Sequence, residues 1–328
     1  MILRLILAFL IAFAAAFAAA KIVIPILVKM KVGQSIKEIG PTWHLNKQGT
    51  PTMGGVIFIA GLFVAMITVG LPAILRGELT HVFVFLFALV YGAIGFVDDY
   101  CKLKKKQNTG LSGWQKLLLQ VVAAVLFVLA MRLTDIAKAE LYVPFFQVTV
   151  SLPVPVYYIF AVFVIVGCVN AVNLTDGVDG LATGVSLPVT LFYTVMAAIW
   201  GYEAQGLFAA ALTGGLAAFL CFNFHPARVF MGDTGSLFLG GAVCALAFAF
   251  NMPLILVPLG IVYICEALSD ILQVGYFKLT HGKRIFKMAP IHHHFEMCGW
   301  SEYKVFTVFT AVSLVFAVIS WLGVRGRF

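Results

Sequence analysis

The feature that most constrains this 328-residue sequence is a succession of continuous apolar runs with no polar–apolar alternation, among them Val56 to Leu71, Leu117 to Met131 and Val305 to Leu322. A membrane strand needs only about 10 residues in strict alternation, whereas a membrane helix needs roughly 20 predominantly apolar ones. The runs therefore predict an all-α, polytopic helical bundle. Composition agrees, with 62% hydrophobic and 11% charged residues against about 25% charged in an ordinary soluble domain. Runs bounded by charge, Pro or Gly predict ten transmembrane helices at about 3–28, 53–71, 80–97, 115–133, 154–172, 181–200, 206–222, 236–250, 254–275 and 303–322. The segments between them are too short for a second domain of about fifty residues, so residues 1–328 are read as one membrane domain.

Charge orients the bundle. If the first span runs outside to inside, the inner face receives Lys21, Lys29, Lys31, Lys37, Lys47, Lys102, Lys104, Lys105, Lys106, Lys116, Arg228, Lys278, Lys283, Arg284, Lys287 and Lys304, which is 16 of the 22 Lys and Arg. The outer face keeps Arg4, Arg76, Arg132, Lys138, Arg325 and Arg327. The positive-inside rule then places both termini outside. Arg4 followed by an apolar stretch and Ala18-Ala19-Ala20 superficially resembles a cleavable signal, but the positive residues follow the apolar core here rather than precede it, so the segment reads as a first span. The net charge of +8, gathered at one face, suits anionic headgroups or phosphorylated substrates, although topology alone accounts equally well for most individual lysines. No nucleic-acid partner is expected. The six cysteines lack paired spacing and predict neither disulfides nor a thiolate metal site. Asn173-Leu174-Thr175 matches a glycosylation sequon by accident, since it abuts an inner span end. On the outer side, Tyr142 to Val150 suits a short hairpin. No internal repeat of the kind found in many secondary transporters is evident.

Four polar clusters interrupt the apolar chain: Asp98-Asp99, Asp176 with Asp179, Asp233, and His292-His293-His294. Each is separated from the next by two membrane crossings, so all four return to one face and predict a composite site. The predicted inner loops are about 29–52, 98–114, 173–180, 223–235 and 276–302. Adjacent carboxylates on a helix diverge by about 100°, so Asp98 and Asp99 are not expected to grip one metal alike; one faces metal or phosphate while the other orients a neighbour. The alternative is an interfacial pair neutralised by Lys102 or Lys104. Asp176 and Asp179 lie at i,i+3, a spacing that shares a helical face, between glycines that allow close backbone approach to a nucleotide; a polar turn with an Asp helix cap is the simpler reading. Asp233 between Gly232 and Gly235 suits Mg²⁺, which takes one or two carboxylates plus phosphate oxygens, and a helix cap again competes. Three consecutive histidines cannot all turn to one metal from a helix. They suit hydrogen bonding beside a diphosphate, or else are simply solvated. Together the clusters favour phosphoryl transfer on a membrane-embedded substrate.

With these residues laid out, the chain resembles the polyprenyl-phosphate N-acetylhexosamine-1-phosphate transferases over essentially its whole length. Gly49 to Gly55, Asp98 to Lys102, Asn173 to Gly180 and Phe230 to Ser236 carry the resemblance. The Pro290 to Glu296 run, with its triple His, looks like the branch that uses a muramoyl-pentapeptide donor. The resemblance implies a Mg²⁺-dependent transfer of phospho-N-acetylmuramoyl-pentapeptide from UDP-N-acetylmuramoyl-pentapeptide to undecaprenyl phosphate, in the bacterial inner membrane, by a homodimer. It implies Asp98, Asp99, Asp233 and His292 as catalytic residues, with the metal on Asp233. It also implies Lys47, Thr52, Lys102, Lys116, Asn173, Asp176, Asp179, Asn223, Phe230, Gln273, His293 and His294 as substrate-binding residues. Asp270, near Gln273, has no role assigned by the resemblance. An acceptor phosphate monoester, with a second pKa of about 6, is mostly dianionic at neutral pH, which favours its direct attack, with Asp98 orienting it, over an Asp nucleophile. Two other readings stand beside this one: a sister transferase using UDP-N-acetylglucosamine, and an ion-coupled transporter. Against the transporter, the acids gather at one face rather than at the bilayer midplane.

Overall fold

The computed structural model describes residues 1–30, 47, 49–105, 109–134 and 139–327. Lys31, Lys37, Lys106, Lys138 and most of the expected 29–52 loop lie outside the described residues. Eight helices in the described residues are long and apolar enough to cross a membrane. These are α1 (Ile2–Lys29), α4 (Thr80–Lys105), α5 (Gly113–Leu133), α6 (Val154–Thr175), α7 (Leu181–Trp200), α8 (Glu203–Asn223), α9 (Gly232–Ala249) and α13 (Glu302–Val324). The chain is therefore a multi-pass helical membrane protein.

The two remaining expected spans depart from plain crossings. The second, 53–71, is an apolar helix of 14 residues, α2 (Gly55–Thr68), followed by the single turn α3 (Leu71–Leu75). The ninth, 254–275, is broken: a 3₁₀ turn and α10 (Leu256–Leu259) meet α11 (Ile261–Leu279) at a bend of 81°. Pro253, Pro258 and Gly260 cluster at the break, and proline both removes a backbone donor and crowds the preceding turn. The third and eighth spans extend further than expected toward the site. α4 continues past residue 97 to Lys105, and α9 begins at Gly232 rather than 236.

α9 is the central element. Every residue from Thr234 to Ala249 is buried, as expected of a helix apolar on all sides, and its closest neighbours are α4 and α6. Small residues along it, including Gly240, Gly241 and Ala245, allow the backbone approach that holds helices together where lipid removes any hydrophobic drive between them. α1, α2 and α8 form a second group against this centre, and α7 packs between α8 and α13. Leucine, isoleucine and phenylalanine side chains such as Leu3, Leu118, Phe163 and Ile271 face outward, where hydrocarbon accepts them.

The expected outer hairpin is present as β1 (Glu140–Val143) and β2 (Val148–Ser151), antiparallel with Glu140 opposite Ser151. It docks on the end of α13 through Phe145 N–H to Gly323 O (2.8 Å), and the Arg327 guanidinium lies over the Tyr142 ring. The bundle end that holds the start of α1 is closed by charge: Arg4 meets Glu203 at 2.6 Å, and Arg76 bridges Glu78 and Glu203. All six cysteines are free thiols.

Candidate active site

The C-terminal ends of α4 and α6 and the N-terminal ends of α5 and α9 meet at one end of the bundle, each bringing polar residues that the apolar runs leave at their boundaries. Asp233, in the first turn of α9, is the hub. Its Oδ2 pairs with Lys102 Nζ of α4 at 2.7 Å and Lys116 Nζ of α5 at 2.9 Å. Its Oδ1 accepts from Asn173 Nδ2 of α6 at 2.8 Å, and the same amide donates to Ser236 Oγ.

Asp98 and Asp99 both turn into this cluster despite their angular separation, but they hold different things. Asp98 Oδ1 accepts the Leu111 N–H at 2.7 Å, and its Oδ2 pairs with Lys102 Nζ at 2.7 Å. Asp99 accepts from the backbone N–H groups of Asp233 (3.3 Å) and Thr234 (2.9 Å) and from the Thr234 hydroxyl (2.8 Å). Met231, the cap residue of α9, supplies no side-chain bond, so Asp99 satisfies the orphan first-turn donors from a neighbouring helix and sets a negative charge against the positive helix end. Asp233 therefore does not cap its own helix, and the capping alternative falls. Thr52 adjoins the same point, since a side chain at Gly232 would meet Thr52 Oγ1 and Asp99 Oδ2 within 3 Å.

Carboxylate atoms of Asp98, Asp99 and Asp233 lie within 4.8 Å of one another. The Lys102 ammonium sits among them, 2.7 Å from Asp98 and Asp233 and 3.6 Å from Asp99. Three carboxylates against two lysines leave a net negative, oxygen-rich cradle that already holds a cationic group. This is the donor set a hard divalent ion such as Mg²⁺ selects.

The Asp176 and Asp179 segment is a turn rather than a shared helical face. Asp176 is the C-terminal cap of α6, and Gly180, not an aspartate, caps α7. Burial, with the nearby charges of Asp233, Asp99 and Asp179, pushes the Asp176 carboxyl up to about 8. Asp179 points away from the hub into a second cluster. Its Oδ1 pairs with Lys47 Nζ (2.7 Å), and its Oδ2 meets His225 Nδ1 (2.8 Å) and the Ala227 N–H (3.0 Å). Burial alone would raise this carboxyl, but Lys47, the Ala227 amide and His225 hold it below the usual carboxylate range. Glu302, at the start of α13, closes the cluster by pairing with the same Lys47 ammonium. The cluster opens on a cavity of about 610 Å³ lined by Lys47, Thr50, Asp179, His225, Pro226, Ala227, Glu296, Gly299, Trp300, Ser301, Glu302 and Tyr303.

The other expected site residues are placed as follows. Asn223 is buried with both amide atoms engaged, accepting from Thr183 Oγ1 and donating to Val229 O. Phe230 is partly buried, and its backbone bonds to Pro51 and Gly54 join the 49–55 stretch to the start of α9. Gln273 accepts from the Ile285 and Phe286 amides and donates to Phe286 O, so its side chain pins the loop after α11. The three histidines, on the short helix α12 (Ile291–Glu296), diverge. His292 is buried against Glu266, His293 meets Glu296, and His294 accepts the Lys287 N–H.

His225, Glu302 and Glu266 were not singled out from sequence. Glu266 carried a usable signal, an acid inside an apolar run. Glu302 and His225 did not, because their contacts with Asp179 join loops 123 and 46 residues apart in the chain.

Comparison with known proteins gives the same picture. The model of glycosyl transferase family 4 matches residues 81–251, and a phospho-N-acetylmuramoyl-pentapeptide-transferase signature matches residues 47–59. The phospho-N-acetylmuramoyl-pentapeptide-transferase of Clostridium acetobutylicum is 46% identical over 304 residues, covering 92% of each chain. The protein of the same name from Caldanaerobacter subterraneus subsp. tengcongensis is 48% identical over 91% of this chain and 92% of its own, and that of Staphylococcus aureus is 46% identical over 92% and 94%. The helical architecture, the carboxylate–lysine hub and these near full-length similarities lead to one conclusion: the chain belongs to the phospho-N-acetylmuramoyl-pentapeptide-transferase family, within glycosyl transferase family 4.

Proposed function

We propose that this protein transfers phospho-N-acetylmuramoyl-pentapeptide from its UDP carrier to undecaprenyl phosphate, releasing UMP and forming lipid I, in the bacterial inner membrane. The observation that carries the reading is the hub where Lys102 and Lys116 meet Asp98, Asp99 and Asp233. Asp233 would hold Mg²⁺ in place of the Lys102 ammonium, which would then be available to phosphate. When bound, the metal neutralises diphosphate charge and polarises the phosphoryl oxygens.

The chain's own residues do the remaining work. Asp99 is spent on fixing the start of α9, which holds Asp233 in place against α4. Lys102 and Lys116 carry the positive charge that a phosphoryl transfer between two anionic partners needs. Asp98 is anchored by the Leu111 amide with its second oxygen toward Lys102, which suits orienting the acceptor phosphate or taking its remaining proton. Direct attack by that mostly dianionic phosphate needs little base catalysis. The cavity beside Lys47, Asp179, His225 and Glu302 would take the nucleotide end of the donor. A water-soluble donor and the excess of Lys and Arg assign this end of the bundle to the cytoplasmic side, and a homodimer belongs to the same reading.

The test is donor choice by detergent-purified protein supplied with undecaprenyl phosphate and Mg²⁺. UMP release and lipid-linked product with the UDP-N-acetylmuramoyl-pentapeptide donor alone support the assignment. Turnover with UDP-N-acetylglucosamine instead would move the protein to the sister activity.

A further inference from the structure

Glu266 stands in the second turn of α11 and takes no part in the hub or the nucleotide cluster. Its side chain is completely buried, and an ionisable group inside an apolar span is costly enough that it is usually kept for a task and given a partner. The partner is His292, equally buried, whose Nδ1 lies 2.8 Å from Glu266 Oε2. A carboxylate accepts only, so this contact puts the imidazole hydrogen on Nδ1. The other ring atom, Nε2, has no hydrogen-bond partner among the described residues. It is aimed at the turn between Asp176 and Asp179: a side chain at Gly177 would meet Nε2 at 2.2 Å, so only glycine leaves the atom uncovered. His293 lies against the ring, with centroids 4.1 Å apart.

We infer that Glu266 is a positioning residue for the transfer reaction: its carboxylate holds His292 in the Nδ1–H form and presents Nε2, beside the Asp176–Gly177 turn, to a hydroxyl or amide hydrogen of the nucleotide-sugar donor. The inference rests on the proposed transferase reading for the ligand, but not for the tautomer. The logic is that of a metal-ligating or catalytic histidine whose second nitrogen is fixed by a carboxylate. Loss of Glu266 leaves the ring present but unaligned.

Glu266→Leu keeps the volume and removes the acceptor; Glu266→Gln keeps the shape and removes the charge. Kinetics and ¹⁵N-histidine spectra, with the His292 signal assigned from His292→Asn, are read for both variants. Expected are a fall in kcat/KM for the pentapeptide donor of at least about 10-fold, an unchanged KM for undecaprenyl phosphate, and a double variant no worse than His292→Asn alone. The His292 spectrum should show hydrogen on Nδ1 in the wild type and lose that preference in Glu266→Leu. Additive losses in the double variant, or a His292 signal indifferent to Glu266, would overturn the inference. A wild type that does not turn over the pentapeptide donor would sink the transferase reading instead, and the spectra would still decide the role of Glu266.

Discussion

Gly95 offers the sharpest test of how the hub is built. It lies on α4 one turn before Asp98 and Asp99, where α4 crosses α9, and a Cβ placed there would stand 2.0 Å from Asp233 O, 2.4 Å from its carbonyl carbon and 2.7 Å from Thr234 N. Ordinary contact begins near 3.4 Å, so Gly95→Ala forces the two backbones apart by about 1.4 Å, less whatever the helices relieve by sliding. All three obstructing atoms are backbone, so no side chain can swing away. The separation falls where Asp99 holds the Asp233 and Thr234 amides at 2.9 to 3.3 Å, and it would break those bonds. A displacement of about 1 Å at reacting groups costs on the order of 10²-fold in rate, and overpacking costs about 1–3 kcal/mol in stability. The assay is UMP release at saturating donor, with thermal unfolding in detergent as the check on folding. Gly167→Ala is the control, since nothing lies within 4 Å of that Cβ in α6, and it should be neutral or stabilising by about 0.5–1 kcal/mol. Gly95→Ala with more than half the wild-type rate would refute the claim that direct α4–α9 contact sets the catalytic geometry.

Three further outcomes follow from the same geometry. Asp99→Ala should lower stability by about 1–2 kcal/mol, as loss of a helix cap does, and also depress turnover; a variant with wild-type thermal stability would show that the first turn of α9 does not depend on this carboxylate. Lys102→Met should separate two effects, tightening apparent Mg²⁺ affinity because a competing ammonium leaves the carboxylates while lowering kcat because phosphate loses a cation; a Mg²⁺ titration of UMP release in which affinity weakens would contradict this. Asp179 is held below its ordinary value of 3.8 in the folded protein, so its ion pair contributes stability above that pH and loses it as pH falls through the lower folded value. Lys47→Met should therefore be less stable than wild type between about pH 5 and 8, with the gap closing under strong acid. A gap that widens in acid would invert the assignment.

Much of this site was legible in the sequence because membranes make polar residues conspicuous. Asp98, Asp99, Lys102, Asn173 and Asp233 stand at the ends of apolar runs, and the even number of crossings between them was enough to gather them at one end of the bundle. Their division of labour was not legible. The 100° separation of Asp98 and Asp99 suggested that they would diverge, yet α4 runs two turns further than its apolar run, so both sit inside the helix, where Asp99 meets the amides at the start of α9 and Asp98 the Leu111 amide just ahead of α5. The break at Gly260 was marked by its prolines, but apolarity continues across it and masks the 81° bend. The second cluster was half visible. Asp179 stood out as an acid between two spans and Lys47 came from the family resemblance, whereas His225 and Glu302 join them only through loops whose course no local pattern encodes.

The central claim is that the carboxylate–lysine hub performs a metal-assisted phosphoryl transfer. Its most direct test is UMP release from UDP-N-acetylmuramoyl-pentapeptide by wild type and Asp233→Ala, each with Mg²⁺ and with chelator, in protein shown to be folded. The account predicts release only by wild type with metal, restored when Mg²⁺ is returned after chelation. Release by folded Asp233→Ala at a rate comparable to wild type would contradict it.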